Sequence, residues 1–378
     1  PDYDGSPQYD YSEMLTYAIN EEANNKVTGA DTYEIRVEEG VYYFGKAIKV
    51  WGEFKLNGIY GKTVFVTDAN DEGAFIKAGS SQTYLGGSIT DITFVAKDAH
   101  STFVPTQSAE TIHANTLNYS VQPLQNHACF LGMNISWFTL KNCTFSGFSA
   151  PLKGVKGHMC THIQNNTFGP CRVALDGLHF IDCFIHDNYF MGAPITKDGH
   201  MDLPLFTTGI GPNLTTINNN YIQNFFYGKG QSDTYGVTYT NNTYDRVYGI
   251  EFYAPGDASN AVSQCLFKNN TYKDIAAFFE GFGYTPYTKE NTGENAYVIH
   301  ALSYEHKDNL SGIAFNKVQA DNKAYIIDIA GGTTITQCKF EEKDMSDTEL
   351  FRIGYYSNTT RDNGCTGTQI LDNAYQID

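Results

Sequence analysis

The sequence predicts an all-β chain wound into a single-stranded right-handed parallel β-helix, a solenoid closed near its N-terminus by a capping helix. Three observations predict it: a motif recurring every 22 to 31 residues through the middle of the chain, a run of short alternating strands broken by glycine, and one amphipathic stretch near the start.

The motif is an apolar residue, two others, Asn or Cys, one other, then an aromatic. It reads Leu140-Lys-Asn-Cys143-Thr-Phe145, Ile163-Gln-Asn-Asn166-Thr-Phe168 and Ile185-His-Asp-Asn188-Tyr-Phe190. It continues as Thr216-Ile-Asn-Asn219-Asn-Tyr221, Tyr239-Thr-Asn-Asn242-Thr-Tyr244, Phe267-Lys-Asn-Asn270-Thr-Tyr272, Ile335-Thr-Gln-Cys338-Lys-Phe340 and Ile370-Leu-Asp-Asn373-Ala-Tyr375. Looser copies span Ile89 to Phe94 and Ile313 to Val318. The shortest spacing is one coil and any excess is loop. An apolar residue followed five positions later by an aromatic breaks strict alternation, so each unit reads as a strand, a parity-flipping turn and a second strand. Asn tolerates the left-handed conformation such a turn needs, and its amide can bond to the Asn one coil above and below. Cys at both ends of the run marks where that ladder is optional.

Short strands precede the repeat: Ile35 to Val37, Val41 to Phe44, Ile48 to Val50, Phe54 to Leu56 and Val64 to Val66, separated by Gly40, Gly45, Gly52 and Gly58. Before them, Tyr11, Met14, Leu15, Ala18 and Ile19 fall on one helical face, with Asp10 or Ser12 as cap. Such a helix covers the open end of the coil stack, which otherwise exposes unpaired backbone and apolar core. The expected organisation is an N-terminal segment and capping helix over residues 1–30 and one β-helix domain over 31–378. Surface insertions are expected near 98–126 and 283–297, where the period lapses.

This pattern resembles the asparagine ladder of right-handed parallel β-helix proteins, the superfamily of pectate lyases, polygalacturonases, inulin fructotransferases and phage tailspikes. The resemblance covers about residues 30 to 378 and implies the fold; activity has to come from a site. Thr196-Lys-Asp198-Gly199-His200-Met-Asp202 is similar to the polygalacturonase motif Asn-Thr-Asp-Gly-x-Asp. Its second Asp lies one residue too far, and neither an Asp-Asp pair nor Gly-His-Gly occurs, so that family is not assigned. Met191-Gly-Ala193 with Asp198-Gly199, and Ile250-Glu251-Phe252, resemble short pieces of an inulin fructotransferase.

Composition narrows the partners. The formal charge is −17, from 42 acidic and 25 basic residues with no basic run, which argues against nucleic acid and anionic membranes. No stretch approaches the length of a membrane-spanning apolar segment. Aromatics make up 14% of the chain, 27 of them Tyr, and sugar-handling surfaces use aromatic faces with a polar tip; most of these rings are nevertheless expected in the core. Cys129, Cys143, Cys160, Cys171, Cys183, Cys265, Cys338 and Cys365 lack paired zinc spacing, so free buried thiols are expected and no structural metal. No cofactor is expected, with calcium on the acidic surface left open; Asp68-Ala-Asn70-Asp71-Glu72-Gly73 has only part of a calcium loop, with Gly79 at its twelfth position. The chain opens at Pro1 without an apolar leader and is read as a mature or trimmed form. Fold resemblance and composition imply an exported, extracellular or cell-surface protein, monomeric or a homotrimer.

Eight residues after each repeat aromatic stand Lys153, Asp176, Asp198, Lys229, Phe252 with Glu251 beside it, and Glu280. Solenoid cores reject charge, so this column is expected to face solvent, as a glycan cleft or as an ordinary solvated face. Adjacent coils lie about 4.8 Å apart, so carboxylates one coil apart match a retaining glycosidase pair. Asp176 and Asp198 form the leading pair, with His179 and His200 as orienting or proton-handling groups. Glu251 and Glu280 form the second pair. Lys153, Asp202, Lys229, Arg246 and Tyr253 are the substrate-binding candidates. The histidines His158, His162, His179, His186 and His200 cluster in sequence across neighbouring coils.

The function expected is cleavage or transfer of glycosidic bonds in a poly- or oligosaccharide by paired carboxylates. One alternative is a noncatalytic glycan-binding or adhesive surface protein. The other is a polysaccharide lyase, with Lys153 or Lys229 as base and Arg172 and Arg246 as substrate contacts.

Overall fold

The computed structural model describes residues 10–31, 33–67, 74–78, 84–97, 107–116, 124–171, 173–192, 213–223, 228–230, 236–245, 250–252, 266–273, 324–329, 334–342, 348–353, 355–357, 360–362 and 369–377. They fall into two compact units, residues 1–193 and 194–378, and each builds a right-handed parallel β-helix with three strand-bearing faces.

In the first unit one face stacks Glu53–Asn57, Tyr84–Thr90, Asn134–Lys141, Thr161–Gln164 and Cys183–His186, all parallel. The second stacks Gly40–Phe44, Thr63–Thr67, Thr93–Ala96, Thr144–Ser146, Thr167–Cys171 and Tyr189–Gly192. The third stacks Ile48–Val50, Ala74–Ala78, Leu124–Leu131, Phe148–His158 and Leu175–Phe180. In the second unit the corresponding stacks begin at Thr216–Asn218, Tyr221–Gln223 and Gly228–Gly230. Tyr355–Ser357 and Thr360–Asp362 add an antiparallel pair.

The repeat aromatics become the core. Phe94, Phe145, Phe168 and Phe190 lie nearly parallel, with ring centroids 5.2, 4.9 and 4.8 Å apart in successive pairs. All four are at most 1% exposed, and deleting one such ring costs roughly 3–5 kcal/mol. Leu56, Ile89, Leu140, Ile163 and Ile185 form the matching buried column on the first face.

The ladder differs from its expected geometry. The left-handed residue is the one before the ladder position: Asn142, Asn165, Asp187, Asn219, Asn241, Asn269, Gln337 and Asp372, with φ between 53° and 58°. The ladder residue itself is buried from Cys143 through Cys338 and half-buried at Asn373, and the asparagine side chains bond to the preceding coil: Asn166 accepts the Cys143 N–H at 2.9 Å, and Asn188 accepts that of Asn166 at 2.9 Å. At the first coil of the second unit the ladder residue is Asn220, because the strand runs Thr216–Asn218 and Ile217 is the buried apolar position; reading from Thr216 shifts the register by one. A second, outer ladder links the left-handed residues, with Asn142 donating to Asp91 at 2.8 Å and Asn165 to Asn142 at 2.6 Å.

The capping helix, α1, spans Ser12–Thr28 and buries Leu15, Ile19, Glu22 and Ala23. Met14, expected on that face, is 62% exposed. Tyr11 occupies the cap position without a side-chain capping bond, and the Asp10 carboxylate instead accepts the Ser12 and Gly45 N–H groups. A second helix, α2 (Ala109–Ala114), lies within the lapse near 98–126. Ser108 caps it, and Ala109 and Ile112 cover Val41, Val64, Val66 and Val95. No helix among the described residues is long and apolar enough to cross a membrane.

Candidate functional site

On the third face of the second unit, Gly228–Gly230, Ile250–Phe252, Ala324–Ile329 and Thr348–Ile353 pair in parallel. The register sets Lys229 opposite Glu251, Glu251 opposite Asp328 and Asp328 opposite Arg352. The positions beside this column carry Ile250, Ile327 and Phe351 on one side and Phe252, Ile329 and Ile353 on the other. Along each of these three strands the charged residue alternates with apolar ones in sequence, so the backbone register aligns the charged positions in a column of their own. Two acidic positions sit on adjacent rungs, about 4.8 Å apart at the backbone, with one basic position before and one after.

The aromatic spacing reaches Lys229, and Glu251 only as the neighbour of Phe252, and it misses Asp328 and Arg352. A signal for them is present: Ile250-Glu-Phe252, Ile327-Asp-Ile329 and Phe351-Arg-Ile353 are the same apolar, charged, apolar triplet. Glu280, Asp198, His200, Asp202, Arg246 and Tyr253 lie outside the described residues, as do Arg172 and the partial calcium loop at 68–73.

On the third face of the first unit, Ile48, Ile76, Phe130, Leu152 and Leu175 form a buried column. The next register position carries Lys49, Lys77, Leu131, Lys153 and Asp176. Lys153 and Asp176 thus stand on adjacent rungs, as the spacing of the aromatics predicts. His179 stands one rung from Lys156. Among the described residues no three His, Cys, Asp or Glu gather as a metal site.

The first face of the first unit presents a different chemistry. Against Leu85 and Gly87, the strand Asn134–Lys141 carries one extra residue between Ile135 and Phe138, a β-bulge containing Trp137. Trp137 has φ 53° and is 67% exposed, its N–H bonded to the Met159 carbonyl at 2.9 Å. Met159 is itself 58% exposed. A left-handed backbone at a residue that is neither Gly nor Asx costs about 1–2 kcal/mol, and such strain gathers at functional positions. Further along this face His162 stacks on Phe184, centroids 4.7 Å apart and planes within 10°, and meets His186 edge-on at 6.2 Å. His186 Nδ1 lies 2.6 Å from Asp187 Oδ2. Burial, then the neighbouring His186, pushes the His162 pKa below 6.5. Of the five clustered histidines, the fold thus brings His162 and His186 together. The repeat pattern misses Trp137, although an aromatic that breaks the alternation at Ser136-Trp-Phe138 is the mark of a bulge.

The sequence matches no protein-family profile and no curated protein. Among solved structures the fold is similar to PfbA, a surface adhesin of Streptococcus pneumoniae, with TM-score 0.51 and 13% identity over 99% of this chain and 91% of that one. It is similar to DFA-IIIase from Arthrobacter chlorophenolicus A6 without its lid, in complex with GF2, with TM-score 0.52 and 14% identity over 99% and 96%. It is also similar to a mutant tailspike protein of E. coli bacteriophage HK620 in complex with a pentasaccharide, with TM-score 0.52 and 11% identity; this chain spans 60% of that tailspike chain. At these identities the likeness establishes the parallel β-helix fold.

Proposed function

We propose that this protein is an extracellular or cell-surface carbohydrate-active enzyme that cleaves or transfers glycosidic bonds, with Glu251 and Asp328 as its paired carboxylates. The observation that carries the reading is the ladder register, which puts the two acids on adjacent rungs between Lys229 and Arg352. Carboxyl groups about 5 Å apart suit a retaining mechanism. One, held protonated by its neighbour's charge, donates to the leaving oxygen, while the other attacks the anomeric carbon. A water or a second sugar then resolves the glycosyl-enzyme, giving hydrolysis or transfer. The tailspike's complex with a pentasaccharide, on the same fold, supports a glycan as partner.

The test is incubation with neutral and uronic-acid polysaccharides, reading reducing ends and ultraviolet absorbance together, for the parent chain and for Glu251→Gln and Asp328→Asn. Turnover lost in both variants with melting unchanged is the expected result; turnover kept in both would sink this pair and move the experiment to Asp176 and Asp198. Product that absorbs in the ultraviolet would favour a lyase with Lys153 or Lys229 as base.

A second reading, a noncatalytic glycan-binding protein, is favoured by the exposed, left-handed Trp137 and by the likeness to a surface adhesin. It expects saturable binding without product. The oligomeric state, monomer or homotrimer, is open to the same preparations by sedimentation.

A further inference from the structure

An open groove of about 610 Å³ runs between α1 and the first coil. We propose that it is a second, noncatalytic sugar-binding site, taking one or two units of a neutral oligosaccharide; the choice of ligand rests on the glycan reading above. The volume lies in the range of small-molecule sites, about 300–1,000 Å³.

Polar contacts and a close backbone approach join its two walls. The Asn20 amide on the helix donates to the Lys49 carbonyl on the coil at 3.2 Å, and Lys46 is paired with Glu13 at 2.8 Å at one end. At Gly52, φ 74°, a Cβ would come within 2.8 Å of the Ala23 Cβ, so glycine lets the helix seat against the coil immediately after Trp51. Trp51 from the coil and Tyr17 from the helix, 67% exposed, then line the opening.

The chemistry of the lining selects the ligand. Two aromatic side chains offer apolar faces for the C–H face of a sugar ring, each with a polar tip. The Lys49 ammonium, the Glu21 carboxylate and the Asn24 amide add charge-assisted and neutral donors and acceptors at the same groove. Because both charge signs line it, an ionic ligand of either sign meets a like charge. A neutral polyhydroxylated ring can donate to the carboxylate and accept from the ammonium together.

The chain has two tryptophans, Trp51 and Trp137, so Trp137→Phe leaves Trp51 as sole indole reporter. In that background, intrinsic fluorescence is titrated with neutral and uronic-acid oligosaccharides of graded length. A saturable change with neutral sugars, weakened about tenfold or more by Glu21→Gln through loss of one charge-assisted hydrogen bond, and weakened again by Tyr17→Ala, is expected. Both substituted side chains lie on an accessible helix face, so melting should not move. The proposal is overturned if Trp51 emission is unmoved by every sugar, or if the change survives both substitutions. The readout is binding alone: a normal titration, with no glycan turned over by the parent chain that keeps Trp137, supports the groove and counts against Glu251 and Asp328. Turnover with a silent Trp51 does the reverse.

Discussion

The side-chain oxygen of Asn242 accepts the backbone N–H of Asn220, one coil away, at 2.9 Å. The same oxygen takes the Asn220 amide at 3.0 Å, while Asn242 Nδ2 donates to the Ile217 carbonyl at 2.9 Å and to Asn270 Oδ1 at 3.2 Å. Asn242 is fully buried. Asn242→Ala would leave the Asn220 N–H without its acceptor out of water and strip one further bond each from the Ile217 carbonyl and Asn270, so a loss of roughly 2–4 kcal/mol is expected. Cys143, at a ladder end, makes only weak thiol bonds, from Sγ to the Lys141 carbonyl at 3.3 Å and to the Ile89 carbonyl at 3.7 Å, and Cys143→Ala should cost about 1 kcal/mol. Urea denaturation of both variants checks this; equal losses would mean that the ladder is not what holds adjacent coils in register.

Much of that ladder is legible in the amino-acid order alone, because Asn or Cys two residues before an aromatic, recurring coil after coil, is hard to write by chance. What the spacing leaves ambiguous is which of two adjacent asparagines turns inward. At Asn219 and Asn220 three successive asparagines, Asn218 to Asn220, fit the motif in more than one phase, and only burial of Ile217 selects one. On α1 a helical stripe fitted to Met14 is displaced because Glu22 is buried instead, its carboxylate accepting the Tyr33 N–H at 2.8 Å. Asp328 escapes for a different reason. Residues 252–327 separate it from its neighbour Glu251, and a period counted onward from the repeat aromatic Tyr272 stops at Glu280, well short of Asp328. Trp137 escapes because it stands outside the repeat motif: the break in alternation at Ser136-Trp-Phe138 lies just ahead of the copy that begins at Leu140.

Trp137 combines a left-handed backbone with exposure, so its side chain contributes little burial to offset its strain. Replacing it by Asn, which the neighbouring turns use in the same conformation, should stabilise the chain by about 1 kcal/mol. If the face around it binds glycan, the same variant should bind more weakly. Thermal melting and a glycan pull-down on one preparation decide the matter: stabilisation with undiminished binding would reduce Trp137 to an incidental surface residue.

Across the ladder from the end of the Trp137 bulge, Phe138 pairs with Gly87. Gly87 has φ 97°, and a Cβ there would lie 1.9 Å from the Phe54 carbonyl oxygen, which is backbone and cannot move aside. Gly87→Ala is therefore expected to cost several kcal/mol, through both the conformation and the clash. Gly132, also left-handed but with nothing near its Cβ, should cost only about 1 kcal/mol on the same change. Comparing the two by urea denaturation separates crowding from conformation; a similar loss at both sites would show that the strand accommodates the extra carbon.

Stability should fall on both sides of neutrality, for two unrelated reasons. Burial pushes the pKa of His113, whose Nδ1 lies 2.7 Å from Thr93 Oγ1, below 6.5, and does the same at His162. Below about 6.5 the unfolded chain binds protons that the folded chain resists, so stability drops as pH falls through that value. On the alkaline side, burial holds the thiols of Cys143 and Cys183 up to about 12 and raises those of Cys129 and Cys338. Above an unfolded thiol pKa of about 8.5 the unfolded chain releases protons that the native one keeps, removing about 1.4 kcal/mol per buried thiol per pH unit. Urea midpoints from pH 5 to 10 should therefore trace a plateau between roughly 7 and 8.5 with a decline on each side. His113→Gln should flatten the acid limb and Cys143→Ala should make the alkaline one shallower. An acid limb unchanged in His113→Gln would place the responsible proton elsewhere, with His162 the next ring to replace.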